Sequence, residues 1–458
     1  MTNMYEESRE IIEPYNLPYP DLISLSSSSS SSSLSSSDEN RRLEVISTAL
    51  MEALGPTGPG LLAITDVPNA VVLRNTLLPL ARDLALLPSD LRNRILMAHG
   101  LGSDVPLKNL DRCVSSFATQ LKYGDGLVPS KPTSVSSGIP VKDDGFSEKL
   151  NHHFKDLSGS FRELGLCMMD MGLRVARVCD KAIGGREIEK SLLESGTAKG
   201  RLIHYHSSLD THMIKEYAAK RGSRKRQPKL KNVILLNSKD MQSSKTSELS
   251  QLKGGAGRAC EKVSELWQQW HYDYGTFTVL ASPMFTRPKL RQDEDEEDGS
   301  MNFRGLECPS PSGHTYLQII HPNKDNICIV KVPPESFILQ VGESANILSR
   351  NKLQSTLHSV LRPVELESLS RETFVVFLHP AWNKAFDLSE YPTEELASNC
   401  HQKQNFGGNK DGVKKLKEEI HKIIPPLSSR LKDGMTFAEF SRQTTKQYYG
   451  GNGFQANR

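Results

Sequence analysis

A chain of 458 residues, 37% hydrophobic and 24% charged, can bury a large core as one domain or as two modules. Its formal net charge of +3 is small for that length, so bulk electrostatics does not predict a nucleic-acid binder. The cysteines are odd in number, dispersed and without a CxxC pair, which argues against a disulfide framework or a zinc module and suits a reducing compartment. No apolar run approaches the roughly 20 residues needed to span a bilayer. The early acids Glu6, Glu7 and Glu10 leave no secretory h-region. The expected location is the cytoplasm.

In chain order, Leu22–Leu25 reads as a short strand. Residues 24–37 are almost all serine, too poor in apolar surface to order themselves, and predict a flexible loop. Leu43, Ile46, Leu50 and Leu54 recur at helical steps. Gly55-Pro56-Thr57-Gly58-Pro59-Gly60 ends that helix by turn chemistry. Leu61–Ile64 predicts a strand, 68–86 a helix, and Pro88-Ser89-Asp90 caps another. Residues 100–145 are rich in Gly, Ser and Pro and read as an irregular surface crossing. Phe154, Leu157, Phe161, Leu164, Met168, Met171, Val175 and Val178 give the clearest helix, its apolar stripe expected to pack on a sheet.

Leu202–Tyr205 predicts another strand. The polar stretch that follows holds a basic cluster at 220–226, read as part of a solvated insertion, with a nuclear-localisation or nucleic-acid patch as the alternative. The acidic run 293–298 repels itself and predicts an exposed loop. From 271 to 382 the chain reads as β, with candidate strands at 275–280, 315–320, 327–332, 337–341, 345–348, 355–361 and 373–378. Their short, even spacing argues for an antiparallel barrel or jelly roll. Helical segments follow around 413–423 and 436–447.

The chemistry sits in that β region. His271 and Asp273, two positions apart on a strand, point to the same face. His358, in a later strand-like run, would complete a 2-His-1-carboxylate facial triad, which holds ferrous iron and leaves positions open for oxygen and a co-substrate. Gly275 permits close backbone approach beside such a site. Arg371 and Thr373 share one face of the next strand. A guanidinium there grips a carboxylate through two parallel hydrogen bonds, and the hydroxyl adds a third; a structural salt bridge with Glu365 or Glu367 is the other reading of Arg371. Trp267, Trp270 and Phe277 flank the motif and either wall a pocket or pack the barrel. His204, His206, His314 and His321 read as structural or surface residues rather than ligands.

The stretches WHYDYGTFTVL (270–280), LQSTLHSVLRP (353–363) and RETFVVF (371–377) resemble the HxD, distal-His and RxS signatures of the plant-type 2-oxoglutarate and iron(II)-dependent dioxygenases, of the isopenicillin N synthase-like superfamily. LEVISTALMEALGPTGPGLLAITDVPNAVV and LARDLALLPSDLRNRI look like that family's N-terminal domain, and the helix over 150–180 like the one that backs its barrel. The resemblance covers about 15–100, 145–206 and 263–385. It implies an α+β fold: a double-stranded β-helix (jelly-roll) barrel backed by helices, with a mixed N-terminal α/β region. The corresponding organisation is an N-terminal region 1–100 with the Ser-rich loop 24–37, a crossing 101–145, a catalytic domain 146–385 with insertions 207–262 and 288–302, and C-terminal helices and a tail over 386–458.

By the same resemblance, iron(II) is held by His271, Asp273 and His358. Arg371 and Thr373 hold the distal carboxylate of 2-oxoglutarate, Tyr205 touches that co-substrate, and ascorbate is a candidate reductant. Thr373 replaces the usual Ser, Ile203 stands where the family often has Asn, and the gaps from His271 to His358 and from His358 to Arg371 are long. The implied activity couples 2-oxoglutarate decarboxylation to hydroxylation, desaturation or demethylation of a small organic substrate by O2, in a monomer away from membranes. The alternatives are an iron oxygenase of the same fold that does not use 2-oxoglutarate, and a non-catalytic or nucleic-acid-associated protein built on it, in the nucleus if the 220–226 cluster acts as a signal.

Overall fold

The computed structural model describes residues 9–27, 37–103, 105–107, 109–124, 145–223, 265–288, 305–324, 326–392 and 410–449. The acidic run, most of the serine run, most of the 207–262 insertion and the end of the basic cluster lie outside the described residues.

Strands β1 (Glu10–Ile12) and β2 (Asn16–Pro18) lead into helices α1 (Tyr19–Ser27) and α2 (Ser37–Leu54). Next come β3 (Leu61–Thr65), α3 (Ala70–Leu86), α4 (Ser89–Ala98), β4 (Gly102–Ser103) and β5 (Val114–Lys122). Helices α5 (Gly145–His153), α6 (Leu157–Ile183) and α7 (Glu187–Ser195) precede β6 (Thr197–Tyr205) and α8 (Ser208–Ser223). The second half is mostly strand: β7 (Leu266–His271), β8 (Phe277–Ala281), β9 (Met284–Arg287), β10 (Leu306–Cys308), β11 (Leu317–Ile320), β12 (Ile327–Val330), β13 (Phe337–Val341), then the short helix α9 (Glu343–Leu348), β14 (His358–Leu361) and β15 (Ser370–Leu378). Helices α10 (Lys410–Ile423), α11 (Leu427–Arg430) and α12 (Phe437–Tyr449) follow.

The fold is mixed α+β on two sheets. The smaller runs β1-β12-β11-β14-β7 and the larger β2-β3-β13-β8-β15-β6-β5-β4, with β9 pairing β15 beyond the end of β8. Pairs β1–β12 and β2–β3 are parallel. The period-two alternation of strand side chains divides the larger sheet's two faces. Leu202, Phe374, Val376 and Leu378 point to the helices, where they share a core with Leu77, Leu84, Phe161, Leu164 and Met168. Ile203, Tyr205 and Val375 point the other way and share a core with Trp267, Leu317, Ile319 and Val360 of the smaller sheet. The inter-sheet layer is therefore walled by both sheets, and α3 and α6 back the larger one.

Helix α6 lies close on that sheet because two glycines seven residues apart face it. A Cβ on Gly165 would come within 2.5 Å of Leu121 Cδ1, and one on Gly172 within 2.7 Å of Leu378 Cδ2. The helix ends at Gly184, in the left-handed region at φ 83° that favours glycine as a terminator.

Several elements differ from expectation. Leu22–Leu25 lies in α1, held by Tyr19 Oη donating to Asp170 Oδ2 at 2.9 Å and by Lys181 Nζ donating to the Leu25 carbonyl at 3.1 Å. The run 345–348 belongs to α9; a short buried apolar run is strand-like or helix-like by pattern, and its period alone does not separate the two. Within the expected irregular crossing, residues 114–122 form β5, paired along its length with β6; sheet neighbours override the weak strand preference of its serines. The helix expected from Phe154 is broken by a turn and resumes at Leu157.

Phe161 of α6 and Phe374 of β15 meet edge to face at 4.7 Å between ring centroids, both fully buried. Phe374→Ala should destabilise the fold by about 3–5 kcal/mol, read as a lower denaturation midpoint in urea. A loss under about 1 kcal/mol would contradict this packing.

Candidate metal centre

Antiparallel pairing sets His358 of β14 directly opposite His271 of β7. Their rings lie 4.2 Å apart between centroids. The pairing slips just beyond His358, a bulge of the kind that re-aims side chains next to a site. Asp273 follows two residues after His271, in the loop 272–276. That loop is held by the first turn of α9. Glu343 N donates to the Asp273 carbonyl at 2.8 Å, Ser344 N to the Gly275 carbonyl at 3.0 Å, and Gly342 N to the Thr276 carbonyl at 2.9 Å. The N–H groups at a helix start have no partner within the helix, so the loop's carbonyls and the helix's donors satisfy one another. Ser344 Oγ adds a bond to the Tyr274 carbonyl at 2.6 Å.

Helix α9 is anchored in turn. Glu343 forms a buried ion pair with Arg430 of α11. Arg430 Nη1 also donates to Thr444 Oγ1 at 2.9 Å and Arg430 Nε to the Pro425 carbonyl at 2.7 Å. Burial raises the Glu343 carboxyl above its ordinary value, and Arg430 works against that rise.

Both histidines are set for coordination. His271 Nδ1 lies 2.8 Å from the Gln269 carbonyl and His358 Nδ1 3.0 Å from the Thr356 carbonyl. A carbonyl only accepts, so the hydrogen-bond network places the proton on Nδ1 and the lone pair on Nε2. The two Nε2 atoms each lie 3.8 Å from an Asp273 oxygen. One donor atom from each of the three residues falls within 4.8 Å of the others. Thr278 Oγ1 donates to Asp273 Oδ2 at 2.6 Å and orients the carboxylate. Burial, with His358 nearby, lowers His271 to about 4. Burial opposes the charge on Asp273, but His358, His271 and the Thr278 hydroxyl hold it below its ordinary value. Two imidazoles presenting Nε2 and one carboxylate form a donor set of the kind that binds a divalent metal.

The other expected site residues lie along the inter-sheet layer. Arg371 is directly opposite Tyr205, and Thr373 opposite Ile203. The Arg371 guanidinium packs over the Tyr205 ring, 5.0 Å from its centroid. Its Nε donates to the Thr315 carbonyl at 3.2 Å, while its Nη1 is buried with no hydrogen-bond partner. Burial lowers the pKa of this guanidinium, as expected of a cation lacking full compensation. The Thr373 hydroxyl donates to the Ala281 carbonyl at 2.9 Å, so its proton is already committed. Burial raises the Tyr205 phenol above its ordinary value, and the nearby Arg371 and Arg201 cations work against that rise.

Phe277 packs in the helix-side core and Trp270 against Ile420 of α10. Trp267 lies in the inter-sheet layer, its Nε1 donating to the His206 carbonyl at 2.8 Å. His314 and His321 each accept a backbone N–H through Nδ1, from Tyr316 and Asn323. Thr278 was not anticipated, although the second alternating threonine after HxD on an apolar strand was a usable signal. Glu343 and Arg430 gave none, because their pairing joins segments far apart in sequence.

No family model and no curated protein matches the chain. Among solved structures it is similar to a full-length Neurospora crassa protein in complex with α-ketoglutarate and 5-formyluracil (14% identity, TM-score 0.45, 88% of this chain and 94% of that one). It is also similar to the dioxygenase for auxin oxidation of rice (14%, TM-score 0.44, 93% and 98%) and to that of Arabidopsis thaliana with 2-oxoglutarate (12%, TM-score 0.43, 81% and 94%). At these identities and scores, any functional reading rests on the geometry of the site. Among the described residues no helix is long and apolar enough to cross a membrane.

Two outcomes follow from this arrangement. A Cβ on Gly342 would lie 2.2 Å from the Gly275 carbonyl oxygen and 3.0 Å from that of Asp273, both backbone atoms. Gly342→Ala should therefore cost about 1–3 kcal/mol by overpacking and weaken metal binding, checked by urea denaturation and metal titration; unchanged values for both would refute the stapled loop. The second concerns acid. Burial lowers His379 to about 4, as it does His271. The unfolded chain takes up these protons near an ordinary value of about 6.5, the folded chain only near 4. Between those values the unfolded state holds more protons, so stability falls as pH drops. Metal-free protein should show its urea midpoint declining from pH 6.5 toward pH 4, and His379→Asn should flatten that decline.

Proposed function

We propose that this chain is an iron(II)- and 2-oxoglutarate-dependent oxygenase, with the inter-sheet layer serving as the interior of a double-stranded β-helix. One observation carries the reading. Two imidazole Nε2 lone pairs are preset by backbone carbonyls and converge on one oriented carboxylate, while a buried guanidinium with an unpartnered nitrogen stands farther along the same layer. The donor set fits iron(II), since two histidines and one carboxylate bind it on one face and leave the remaining positions open. Bound iron supplies the oxygen chemistry that couples keto-acid decarboxylation to oxidation of an organic substrate.

The residues of the chain have separate tasks. His271, Asp273 and His358 hold the metal, and Thr278 keeps the carboxylate turned toward it. Arg371 pairs with the far carboxylate of 2-oxoglutarate, whose charge compensates a buried cation. Tyr205, whose ring packs under the Arg371 guanidinium in the inter-sheet layer, would touch the co-substrate beside it. Thr373 flanks Arg371 and would reach the same carboxylate only by turning its proton away from the Ala281 carbonyl. The apolar inter-sheet layer around Arg371 and Tyr205 lowers the local dielectric, which strengthens the contact of a buried cation with a carboxylate.

With iron(II), ascorbate and 2-oxoglutarate, the wild-type chain should release succinate and CO2. Asp273→Ala should lose both iron binding and turnover. Arg371→Gln should raise the KM for 2-oxoglutarate about 10- to 100-fold, the equivalent of losing a charged hydrogen bond of roughly 1.5–3 kcal/mol, with iron affinity unchanged. Iron binding retained by Asp273→Ala would end the assignment.

A further inference from the structure

The face of β6 turned away from the inter-sheet layer carries a second constellation. His204 and His206 sit two residues apart at the end of this strand, and Asp210 lies in the first turn of α8. All three are fully buried. The chain brings Asp210 there by a reciprocal capping arrangement: Ser207 N donates to Asp210 Oδ2 and Asp210 N to Ser207 Oγ, both at 3.0 Å.

The hydrogen bonds leave His206 Nδ1 without a partner and His204 Nε2 with only an ion-pair contact. His204 Nδ1 lies 2.8 Å from Glu372 Oε1, which places its proton there. Its Nε2 faces Asp210 Oδ2 at 3.4 Å but makes no hydrogen bond. His206 Nε2 lies 2.8 Å from Ser115 Oγ, and His206 Nδ1 is buried with no hydrogen-bond partner. Asp210 Oδ1 accepts from Arg82 Nη2 at 2.6 Å, leaving Oδ2 on the histidine side. One donor atom from each of the three residues lies within 4.8 Å of the others. A buried polar atom left unpaired costs about 1–3 kcal/mol, so His206 Nδ1, orphaned with its ring centroid 4.4 Å from that of His204, requires a reason. A proton on His204 Nε2, favoured by Asp210 and Glu372 on either side, would satisfy that nitrogen and leave His206 Nδ1 orphaned. A cation satisfies both nitrogens and the carboxylate together.

We propose that His204, His206 and Asp210 bind a structural divalent cation of the zinc class, a site independent of the iron centre and of the function read from it. Two imidazoles and one carboxylate match zinc rather than calcium or magnesium, which take all-oxygen shells. Each ligand has an outer partner of the kind that fixes metal-binding side chains: Glu372 on His204, Ser115 on His206 and Arg82 on Asp210. The two clusters also differ in access. The His271 side chain is 18% exposed and that of Asp273 11%, whereas those of His204 and Asp210 are 0% exposed. The first can admit substrate and the second cannot, which separates a reactive centre from a structural one. Because Glu372 is opposite His204 where Arg371 is opposite Tyr205, the cation would also brace the Arg371–Tyr205 pair from behind.

The test is zinc stoichiometry on the metal-free full chain, with Zn2+ alone as probe and bound metal counted by mass spectrometry after gel filtration. Asp273→Ala removes the first centre and should retain one zinc per chain. Adding His206→Ala should reduce that to none. X-ray absorption of the zinc left in Asp273→Ala should show two imidazole ligands, a readout that stands even where the His206 variant does not fold. A folded Asp273→Ala chain that holds no zinc, or one whose zinc persists unchanged after His206→Ala, would overturn the proposal. A wild type whose zinc count is unaffected by Asp273→Ala would instead count against the iron centre.

Discussion

The first turn of α9 holds in place the loop that brings Asp273 to the candidate metal centre. Its three backbone N–H groups have no helical acceptor and the loop 272–276 has carbonyls with no strand partner; each set answers the other's need. The loop is closely packed on both sides: Gly342 of the α9 start has no room for a side chain against the Gly275 carbonyl, and a Cβ on Gly275 would meet the Leu378 carbonyl of β15 at 2.7 Å. The position of Asp273 therefore depends on β13, which delivers α9, and on α11, whose Arg430 holds Glu343. Breaking a buried ion pair of that kind by removing one partner typically costs about 3–5 kcal/mol. The C-terminal helices thus belong to the support of the centre although they contribute no ligand to it.

Strand alternation then divides the labour of the larger sheet. Along β6 and β15, odd-numbered positions such as Ile203, Tyr205, Arg371, Thr373 and Val375 face the inter-sheet layer, and even-numbered ones such as Leu202, His204, Glu372 and Phe374 face the helices. A stacked pair of charged and aromatic side chains on one face is backed at the next position by a pair of ionisable groups on the other. The two clusters are one residue apart in sequence and a sheet's thickness apart in space.

How much of this could be read from the sequence depended on range. The HxD triplet, the distal histidine and the Arg-x-Thr pair were visible because each is local and each obeys the two-residue period of a strand. The order of the β segments was visible for the same reason. The assignments that failed, at 22–25 and 345–348, are short apolar runs whose period cannot separate strand from helix, and tertiary partners decide them. Strand β5 was hidden because its serines, alanine and lysine are poor local evidence and its place is set by pairing with β6. The unpartnered Nδ1 of His206 and the His204 Nε2 facing Asp210 were beyond reach, since their neighbours Glu372, Ser115 and Arg82 come from three distant segments.

The strict opposition of faces along β6 and β15 makes these strands sensitive to chain length. Lengthening either by a single residue upstream of the pair would carry Arg371 or Tyr205 into the helix layer and bring Glu372 or His204 into the interior, and on β15 would exchange a cation for an anion on the inter-sheet face. A two-residue change would keep the faces but shift the pairs along the sheet. Over these two strands the counting of residues, more than their individual identities, is what variation in this chain has least freedom to alter.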